Sequence, residues 1–499
     1  MAEFLAWLEG AVAIVNTYLA DYVLVILLIG VGLFYTIRTK FVQVRCFGQG
    51  LKKVFGGLKL NGGKQKSGMS SFQAFATAVA AQVGTGNIVG ACGAIIAGGP
   101  GSIFWMWIIA FLGMATIYAE AVLAQKSKKI NEDGTVSGGP VYYIRTAFKG
   151  KFGKFLAGFF AVAAIICLGF VGSMVQSNAI SGAVSGVATS VGAQDFSKWT
   201  WIIGVVVSVL TGVIVIGGAK RIASVTEKIV PIMAVVYLLG GLIVLCIKVT
   251  AIPEAFWMII KYAFTPNAII GGGIGYALKQ AISKGAQRGL FSNEAGMGST
   301  PHAHAQANVK TAHEQGTAAI ASVFIDTFIV LTMTALIVIT TLYAQNGVMV
   351  QALENPSVAD GIDKSNMVQT AISTLFANGN VGNIIGAVFV AVCLSFFAFS
   401  TIVSWNLFGR INFEYLFGKK SSVIYSVIAI VFIFLGSIFS SDLVWNFSDF
   451  FNYLMVIPNA IALVALSGIV VKELKENGKH KSADETPNQP LTENMDKKV

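Results

Sequence analysis

The sequence is short of charge, because only 12% of its 499 residues are Asp, Glu, Lys or Arg. A soluble globular protein has about 25%, and a chain of this length could not cover its surface with half that supply. The deficit excludes a cytosolic multidomain enzyme and leaves a polytopic membrane protein. The net charge of +11 does not indicate a nucleic-acid partner, since the basic residues are scattered between apolar segments.

Several chemical motifs are also missing. The five cysteines include no CxxC pair, and we interpret them as small buried hydrophobic residues. The absence of HExxH and GxSxG weighs against an intramembrane enzyme. The spacing of His302, His304 and His313 matches no common metal-ligand set, so we expect a solvated loop there. The N-terminus lacks the basic stretch that is typical of a cleaved signal peptide.

Apolar segments of membrane-spanning length are what the sequence has in abundance. A spanning helix needs about 20 mostly apolar residues, and eleven segments meet or approach this requirement. They are 22–37, 70–98, 102–125, 152–184, 199–217, 228–248, 265–285, 315–343, 379–408, 422–440 and 450–471. The sequence therefore predicts an all-α polytopic membrane protein with about eleven transmembrane helices.

Basic residues are concentrated in alternate loops. The segments rich in Lys and Arg are 38–66, 126–154, 218–228, 410–420 and the tail that starts at Lys472. The loops between them hold few basic residues among many acids. Because basic loops face the cytoplasm, we expect a plasma-membrane protein with its N-terminus outside and its C-terminus inside.

These signals divide the chain into four parts. They are an N-terminal helix with a cytoplasmic amphipathic segment (1–66), a first five-helix repeat (67–250), a second five-helix repeat with external helices (251–472) and a disordered cytoplasmic tail (473–499). The external segments 251–263 and 350–377 are either interfacial or gating helices, or ordinary connectors.

A first helix interruption is predicted within the span 70–98. The sequence GTGN at 84–87 lies at the middle of the membrane, where polar side chains are costly unless they face a cavity or a partner. Glycine lets the backbone leave the helix and expose its carbonyl and N–H groups. The pattern predicts an unwound binding segment. Close helix packing through Gly86 and Gly90 is the alternative.

A second interruption is predicted at Gly271, Gly272 and Gly273, because three consecutive glycines at membrane depth can hardly hold a regular helix. Their span, 265–285, is the fifth after 70–98 and has the opposite predicted orientation. Matching interruptions in oppositely oriented halves are typical of inverted-repeat transporters. We therefore expect two inverted five-helix repeats with interrupted first helices, one extra N-terminal helix, and a substrate site where the interrupted helices cross.

Three motifs resemble those of the alanine or glycine:cation symporter family. They are GTGNIVG at 84–90, GPVYYI at 139–144 and RGLFSNEAG at 288–296, and the resemblance runs from about residue 20 to 470. That family is similar in fold to the leucine-transporter superfamily. The resemblance implies secondary active import of a small neutral amino acid, coupled to sodium or to protons.

The resemblance also implies roles for residues of the first interruption. The N–H groups of Thr85 and Gly86 would hold the substrate carboxylate, since a helix N-terminus attracts an anion. The amide oxygen of Asn87 would ligate a cation beside that carboxylate. Gln176, polar at membrane depth, is our candidate for a contact with the carboxylate or the amine. An interhelical hydrogen bond without a ligand is the alternative.

The resemblance also implies a second sodium site, at a hydroxyl pair late in the chain. Ser400 and Thr401 would bind the ion together with carbonyl groups freed at Ala80 and Val83, because hard cations take oxygen ligands. Trp405 lies one helical turn after Thr401, on the same face. Its indole would form a wall of the side-chain pocket.

The charge rule places the motif from Arg288 to Gly298 at the cytoplasmic face, where we interpret it as an inner gate with an Arg288–Glu294 ion pair. A looped-back position nearer the substrate is the alternative. Acids inside the membrane are functional candidates. Asp326 either pairs within the bundle or carries a coupling proton, whereas Glu120 is near enough to the cytoplasm to be interfacial.

The leading hypothesis is a symporter, not an enzyme, that imports alanine, glycine or glutamine together with sodium by alternating access. The hydroxyl pair and the family resemblance favour sodium. Two alternatives stay open: a proton-coupled symporter, and a membrane protein that binds an amino acid without pumping it. The expected partners are a small neutral amino acid, sodium as the coupling ion and the lipid bilayer, with no other cofactor and no nucleic acid.

Overall fold

A computed structural model describes residues 2–56, 68–193, 196–265, 274–352, 355–376 and 379–477. These residues are mostly helical, which confirms the predicted fold class. The described strands form one short antiparallel hairpin, in which Lys129–Ile130 pairs with Val136–Ser137.

The main helices follow one another with short connections. In chain order they are Glu9–Arg38, Val42–Arg45, Phe47–Gly56, Ser71–Gln82, Gly86–Gly98, Ser102–Ser127, Pro140–Ala147, Gly150–Ser190, Thr200–Ile216, Gly218–Ile247, Ile252–Phe264, Ile274–Asn293, Pro301–Gln306, Ala312–Tyr343, Val348–Gln351, Met367–Ser373, Gly379–Phe417, Lys419–Gly436, Ser441–Ala465 and Ser467–Asn477.

Each predicted span overlaps one of these helices. Eight helices of the described residues are long and apolar enough to cross a membrane, and the bent pair Ser71–Gln82 and Gly86–Gly98 makes up to nine. Two further helices fall short of that test. Thr200–Ile216 has only 17 residues, and Ile274–Asn293 carries three basic residues. The count of eleven therefore stays a prediction.

The first predicted interruption is confirmed. A capping box between Ser70 and Gln73 starts the helix Ser71–Gln82, in which each side chain bonds the backbone N–H of the other. The helix stops at Gln82 and resumes at Gly86 with a bend of 46°. We call Ser71–Gln82 and Gly86–Gly98 together the first broken helix.

A second interruption lies at 294–300, between Ile274–Asn293 and Pro301–Gln306. Glu294, Gly296 and Gly298 all have left-handed backbone conformations there, with φ of 57°, 91° and 84°, which no α-helix accommodates. We call these two helices the second broken helix. The predicted interruption at 271–273 lies outside the described residues, so the motif that ends at Gly296 provides the break that is seen.

The N-terminal helix is longer than predicted, because Glu9–Arg38 replaces the span 22–37. It packs against the second broken helix. Asp21 forms an ion pair of 2.8 Å with Lys279 and accepts a hydrogen bond from Ser283. The N-terminal helix therefore contacts and supports the second broken helix.

The connecting segments are partly helical. The predicted external helix 251–263 is present as Ile252–Phe264, and 350–377 contains Met367–Ser373. The predicted disordered tail begins too early, because Ser467–Asn477 is a helix and the Glu473 side chain is buried. Residues 478–499 lie outside the described part of the chain.

Candidate functional site

The first break brings predicted site residues from three helices together. A Cβ added at Gly84 would lie 2.5 Å from Thr401 Oγ1 and 3.3 Å from Gln176 Oε1, so only glycine fits without displacing a neighbour. The backbone N–H of Thr85 donates to Gln176 Oε1 at 3.2 Å. Gln176 and Thr401 therefore both lie against the interruption at Gly84.

Two polar groups at this break have no partner among the described residues. The Gln176 amide nitrogen and the Thr85 hydroxyl are both buried and unbonded. A buried polar atom without a hydrogen bond costs about 1–3 kcal/mol. Both groups can donate to oxygen, so the site has the chemistry to receive an anionic group such as a carboxylate.

The four predicted ligands of the second sodium site lie together. Thr401 Oγ1 is 2.9 Å from the Ala80 carbonyl oxygen and 3.5 Å from that of Val83, while Ser400 Oγ is 3.5 Å from the Ala80 oxygen. These carbonyls are available because the helix stops at Gln82. Two hydroxyls and two freed carbonyls form an oxygen cluster without formal charge, which suits a small hard cation.

A second oxygen cluster surrounds Asp326, whose bonding the sequence left open. Its carboxylate is fully buried and accepts hydrogen bonds from Asn87 Nδ2 at 2.6 Å, Ser292 Oγ at 2.9 Å and Thr327 Oγ1 at 2.8 Å. The amide oxygen of Asn87 accepts from the Gly84 N–H at 3.0 Å. Asp326 thus pairs within the bundle, with neutral donors that belong to both broken helices and its own.

Trp405 forms a wall of the same region. Its indole nitrogen donates to Glu294 Oε1 at 2.6 Å, and its ring meets Phe291 edge to face at 5.9 Å between centroids. A Cβ at Gly172 would lie 2.4 Å from the indole. Trp405 is therefore fixed by the second break on one side and by a bare backbone on the other.

The predicted Arg288–Glu294 ion pair is wrong. Arg288 instead pairs with Asp449 in a two-pronged contact of 3.2 and 2.9 Å, and its guanidinium lies over the Trp445 ring. Glu294 bonds Trp405 and Ser299.

The predicted cytoplasmic position of Arg288 is also wrong relative to the other loops. Arg288 contacts Trp445, and Trp445 lies beside Lys364. Lys364 belongs to the loop 350–377, which the charge rule assigns to the outside. Phe291 packs against the same Trp445 ring in a tilted arrangement, with 4.7 Å between ring centroids. The motif thus forms the end of Ile274–Asn293 and the start of the break at 294–300, and its Arg288 end covers the site on the side opposite the basic loops.

The other side is closed by the backbone. Met69 N donates to Gln306 O at 2.8 Å, and Asn308 N donates to Met69 O at 2.8 Å. This bridge joins the start of the first broken helix to the end of the second. Lys128 Nζ reinforces it by donating to Ala307 O at 2.7 Å. Burial lowers the pKa of Lys128 to about 8, because removal from water disfavours the charged ammonium group.

The three histidines do not lie in a solvated loop, as was predicted, because all three are buried. His302 stacks between Phe160 and Phe408. His313 bonds the Tyr118 hydroxyl at 2.7 Å. Their imidazole rings are part of the packing around the bridge.

Glu120 is buried as well, not interfacial, and it holds the second break. Its Oε1 accepts from Asn459 Nδ2 at 2.6 Å, and its Oε2 accepts from the Gly296 N–H at 3.2 Å. Asn459 also donates to Gly296 O at 2.9 Å and accepts from the Tyr143 hydroxyl at 2.5 Å. The loop that carries Glu294 to Trp405 is therefore fixed to two neighbouring helices.

We expect Glu120→Ala to lower the maximal rate of uptake at least tenfold while protein abundance in the membrane stays near wild type. The change leaves two buried donors unpaired, at roughly 1–3 kcal/mol each, and frees the loop that positions Trp405. The rate is measured as initial uptake by proteoliposomes. Glu132→Ala, which removes an exposed acid from the hairpin, is the control. A rate equal to wild type would show that the loop keeps its position without Glu120.

Four of these site residues were not predicted. Ser292, Asp449, Asn459 and Thr327 each make a buried bond described above. Thr327 and Asn459 did carry a signal, that of a polar side chain inside a predicted span, whereas Ser292 and Asp449 lie outside the predicted spans. That signal marks such residues as candidates, but it does not reveal their partners, which lie far away in the sequence.

Comparison with known proteins gives consistent results. Residues 5–490 match the sodium:alanine symporter family. The chain is 37% identical over 463 residues to the sodium/alanine symporter AgcS of Methanococcus maripaludis, covering 92% of this chain and 95% of that protein. It is 34% identical over 481 residues to the probable sodium/glutamine symporter GlnT of Bacillus subtilis, covering 96% and 93%.

Among solved structures, the chain resembles the transporter MhsT, whose crystal structure contains L-phenylalanine. The TM-score is 0.58 at 14% identity, covering 84% of this chain and 94% of that one. At this identity the likeness concerns the fold alone, and it supports the predicted leucine-transporter type of architecture.

Proposed function

The chain belongs to the sodium:alanine symporter family, and from this premise we propose that it imports a small neutral amino acid together with sodium by alternating access. The observation that carries the proposal is the meeting of unpaired donors and an oxygen cluster at one helix break. Gln176 and Thr85 offer the donors, and Thr401 with Ala80 belongs to the cluster.

The substrate carboxylate binds at the first break in this proposal. The Gln176 amide nitrogen and the Thr85 hydroxyl donate to it, and the N-terminus of Gly86–Gly98 adds the favourable field of a helix end. The N–H groups of Thr85 and Gly86 lie at that end. A zwitterion bound in this way directs its side chain toward Trp405.

Sodium occupies two positions in this proposal. One ion binds among Ala80, Val83, Ser400 and Thr401, where each hydroxyl oxygen lies within 3.5 Å of at least one of the two carbonyl oxygens. A second binds beside Asn87 and Asp326, where a buried carboxylate bonded to neutral donors favours a monovalent cation. Each ion adds about 2.3 kcal/mol per 100 mV of membrane potential to the driving force for a neutral substrate.

Alternating access opens one closure at a time. The Arg288–Asp449 pair with Phe291 and Trp445 covers one side of the site, and the bridge at Met69 covers the other. Both closures involve the second broken helix. The interruption at 294–300 is the hinge at which Ile274–Asn293 and Pro301–Gln306, the two halves of this helix, move relative to one another.

A small substrate is favoured by the way Trp405 is held. The bond to Glu294 and the close approach of Gly172 leave the indole no room to withdraw. The names of the relatives include alanine and glutamine, and alanine fits this fixed wall better. We propose alanine or glycine as the preferred substrate, with glutamine as a larger competitor.

We expect proteoliposomes that contain the purified chain to accumulate labelled alanine and glycine when a sodium gradient points inward. Glutamine should be taken up more slowly, because the fixed indole limits the room for its side chain. A pH gradient without sodium should drive no accumulation. Initial rates for a panel of labelled amino acids check this directly.

Two controls distinguish the alternatives. Unlabelled alanine inside the vesicles accelerates entry of label through a carrier, whereas it leaves a non-pumping binding protein unaffected. Accumulation driven by protons alone would show that the coupling ion is not sodium. Uptake of glutamine faster than alanine would show that Trp405 does not limit the pocket.

A further inference from the structure

The segment after the N-terminal helix has a set of exposed side chains. Lys40 and Phe41 have φ of 53° and 58°, so the chain turns sharply where the spanning helix ends at Arg38. The short helices Val42–Arg45 and Phe47–Gly56 follow. Because a spanning helix has just ended, this segment lies at a membrane boundary.

Large apolar and basic side chains share the exposed face. Phe41, Val44 and Phe55 are 51%, 59% and 57% exposed, and Arg45 and Lys52 are exposed between them. Phe41 lies in the turn, Val44 and Arg45 lie in the first short helix, and Lys52 and Phe55 are one helical turn apart in the second. We call this set of five residues the interfacial face.

Charge on this face is all of one sign. The sequence from 22 to 119 contains no Asp or Glu. Arg45 and Lys52 form no ion pair within the described part of the chain, whereas the neighbouring Lys53 pairs with Glu314 at 2.6 Å. Apolar side chains beside cations without an ion-pair partner suit the surface of a lipid bilayer, which is apolar inside and anionic at its headgroups.

The opposite face of the same helix is packed on Ala312–Tyr343, which carries Asp326. Phe47 meets Phe324 at 4.8 Å between ring centroids. A Cβ at Gly50 would lie 2.2 Å from the Thr317 carbonyl oxygen, so the two helices are in direct backbone contact. Phe324 precedes Asp326 by two residues, which connects the interfacial face to one of the proposed sodium positions.

We infer that the interfacial face binds anionic membrane lipid and that this binding promotes transport. The phosphate of a lipid headgroup bonds Arg45 and Lys52, while Phe41, Val44 and Phe55 insert among the acyl chains. Bound lipid holds Phe47–Gly56 in place and thereby fixes the helix that carries Asp326. The effect on transport rests on the proposed function, but the binding of lipid does not.

Binding is tested first, on the full chain purified in detergent. Phosphatidylglycerol is titrated, and the lipid retained per protein is counted by native mass spectrometry, with phosphatidylcholine as the neutral comparison. The double variant Arg45→Gln, Lys52→Gln is expected to bind phosphatidylglycerol roughly 25-fold less tightly, at about fivefold for each basic residue near an anionic surface.

A matched control exists in the same chain. Lys149 and Lys151 are exposed basic residues on the side that the charge rule also assigns to the cytoplasm, and Phe155 is exposed beside them. Their helix packs on Ser441–Ala465. Changing both lysines to glutamine removes the same amount of charge as the Arg45/Lys52 variant, but from outside the interfacial face. It should therefore leave the transport response to lipid intact.

Transport is tested next, in vesicles of phosphatidylcholine with and without one third phosphatidylglycerol. Sodium-driven uptake by the wild-type chain should rise severalfold with the anionic lipid, and the Arg45/Lys52 variant should lose that rise and keep its basal rate. Phe55→Ser should reduce the rise, and Phe155→Ser should not.

Two results would overturn the inference. One is equal retention of phosphatidylglycerol by the wild-type chain and the Arg45/Lys52 variant. The other is loss of retention without any change in the lipid response of uptake. Competition by inorganic phosphate would identify a soluble anion, not a lipid, as the ligand, and it too would contradict the inference. A chain that retains lipid but transports nothing would instead count against the proposed function.

Discussion

Replacement of Asp326 by asparagine is expected to raise the sodium concentration for half-maximal uptake more than a hundredfold, so that uptake at ordinary sodium concentrations is lost. The carboxylate is fully buried, and its partners Asn87, Ser292 and Thr327 are neutral. In the proposed site, the charge that pairs with this carboxylate is the sodium ion. Removing one member of a buried charge pair costs about 3–5 kcal/mol, and 1.4 kcal/mol is a tenfold change in affinity.

The measurement is alanine uptake by proteoliposomes over a wide range of sodium concentrations. Asp133→Asn is the matched control, because it removes an exposed carboxylate from the hairpin that pairs with Lys419. Unchanged sodium dependence in Asp326→Asn would mean that this acid only holds helices together. Wild-type uptake driven by a pH gradient without sodium, and absent in the variant, would identify Asp326 as a proton carrier.

The chemistry of the first break could be predicted from local sequence. GTGN at membrane depth combines glycines that do not support a helix with polar groups that need partners. The structure places Gln176 and Thr401 against Gly84. Local sequence was sufficient here because the interruption depends on residues that are adjacent in the chain.

The break at 294–300 was not predicted, whereas the predicted one at 271–273 lies outside the described residues and stays a prediction. Three consecutive glycines are a strong local signal, whereas the described interruption begins at Glu294, a residue that rarely adopts a positive φ. The bonds from Glu294 to Trp405 and from Gly296 to Glu120 hold that conformation. Because long-range contacts hold Glu294 in its left-handed conformation, the local sequence does not predict that conformation.

Partners of the buried charges were beyond sequence reasoning for the same reason. Arg288 and Glu294 are six residues apart, and an ion pair between them was the simplest local hypothesis. In the structure, Arg288 pairs with Asp449, 161 residues away, and Glu294 accepts hydrogen bonds from neutral donors. Membrane depth identifies which polar residues need a partner, but only the fold determines which partner each one finds.

Removing the hydroxyl group of Thr401 is the sharper test of the second sodium position. Thr401 Oγ1 is the atom of that cluster with contacts to both freed carbonyls, Ala80 O at 2.9 Å and Val83 O at 3.5 Å. Thr401→Val keeps the shape of the side chain and removes only the oxygen ligand. Thr401→Ser keeps the oxygen and removes only a methyl group.

We expect Thr401→Val to raise the sodium concentration for half-maximal alanine uptake about ten- to hundredfold, since a bond to a charged group is worth roughly 1.5–3 kcal/mol. Thr401→Ser should stay within a fewfold of wild type. Because cation and substrate binding are linked, saturating sodium should restore most of the alanine affinity of the valine variant. Equal defects in both variants would indicate that packing against Gly84 matters, not sodium binding. A valine variant with wild-type sodium dependence would place the coupling ion at Asp326 alone.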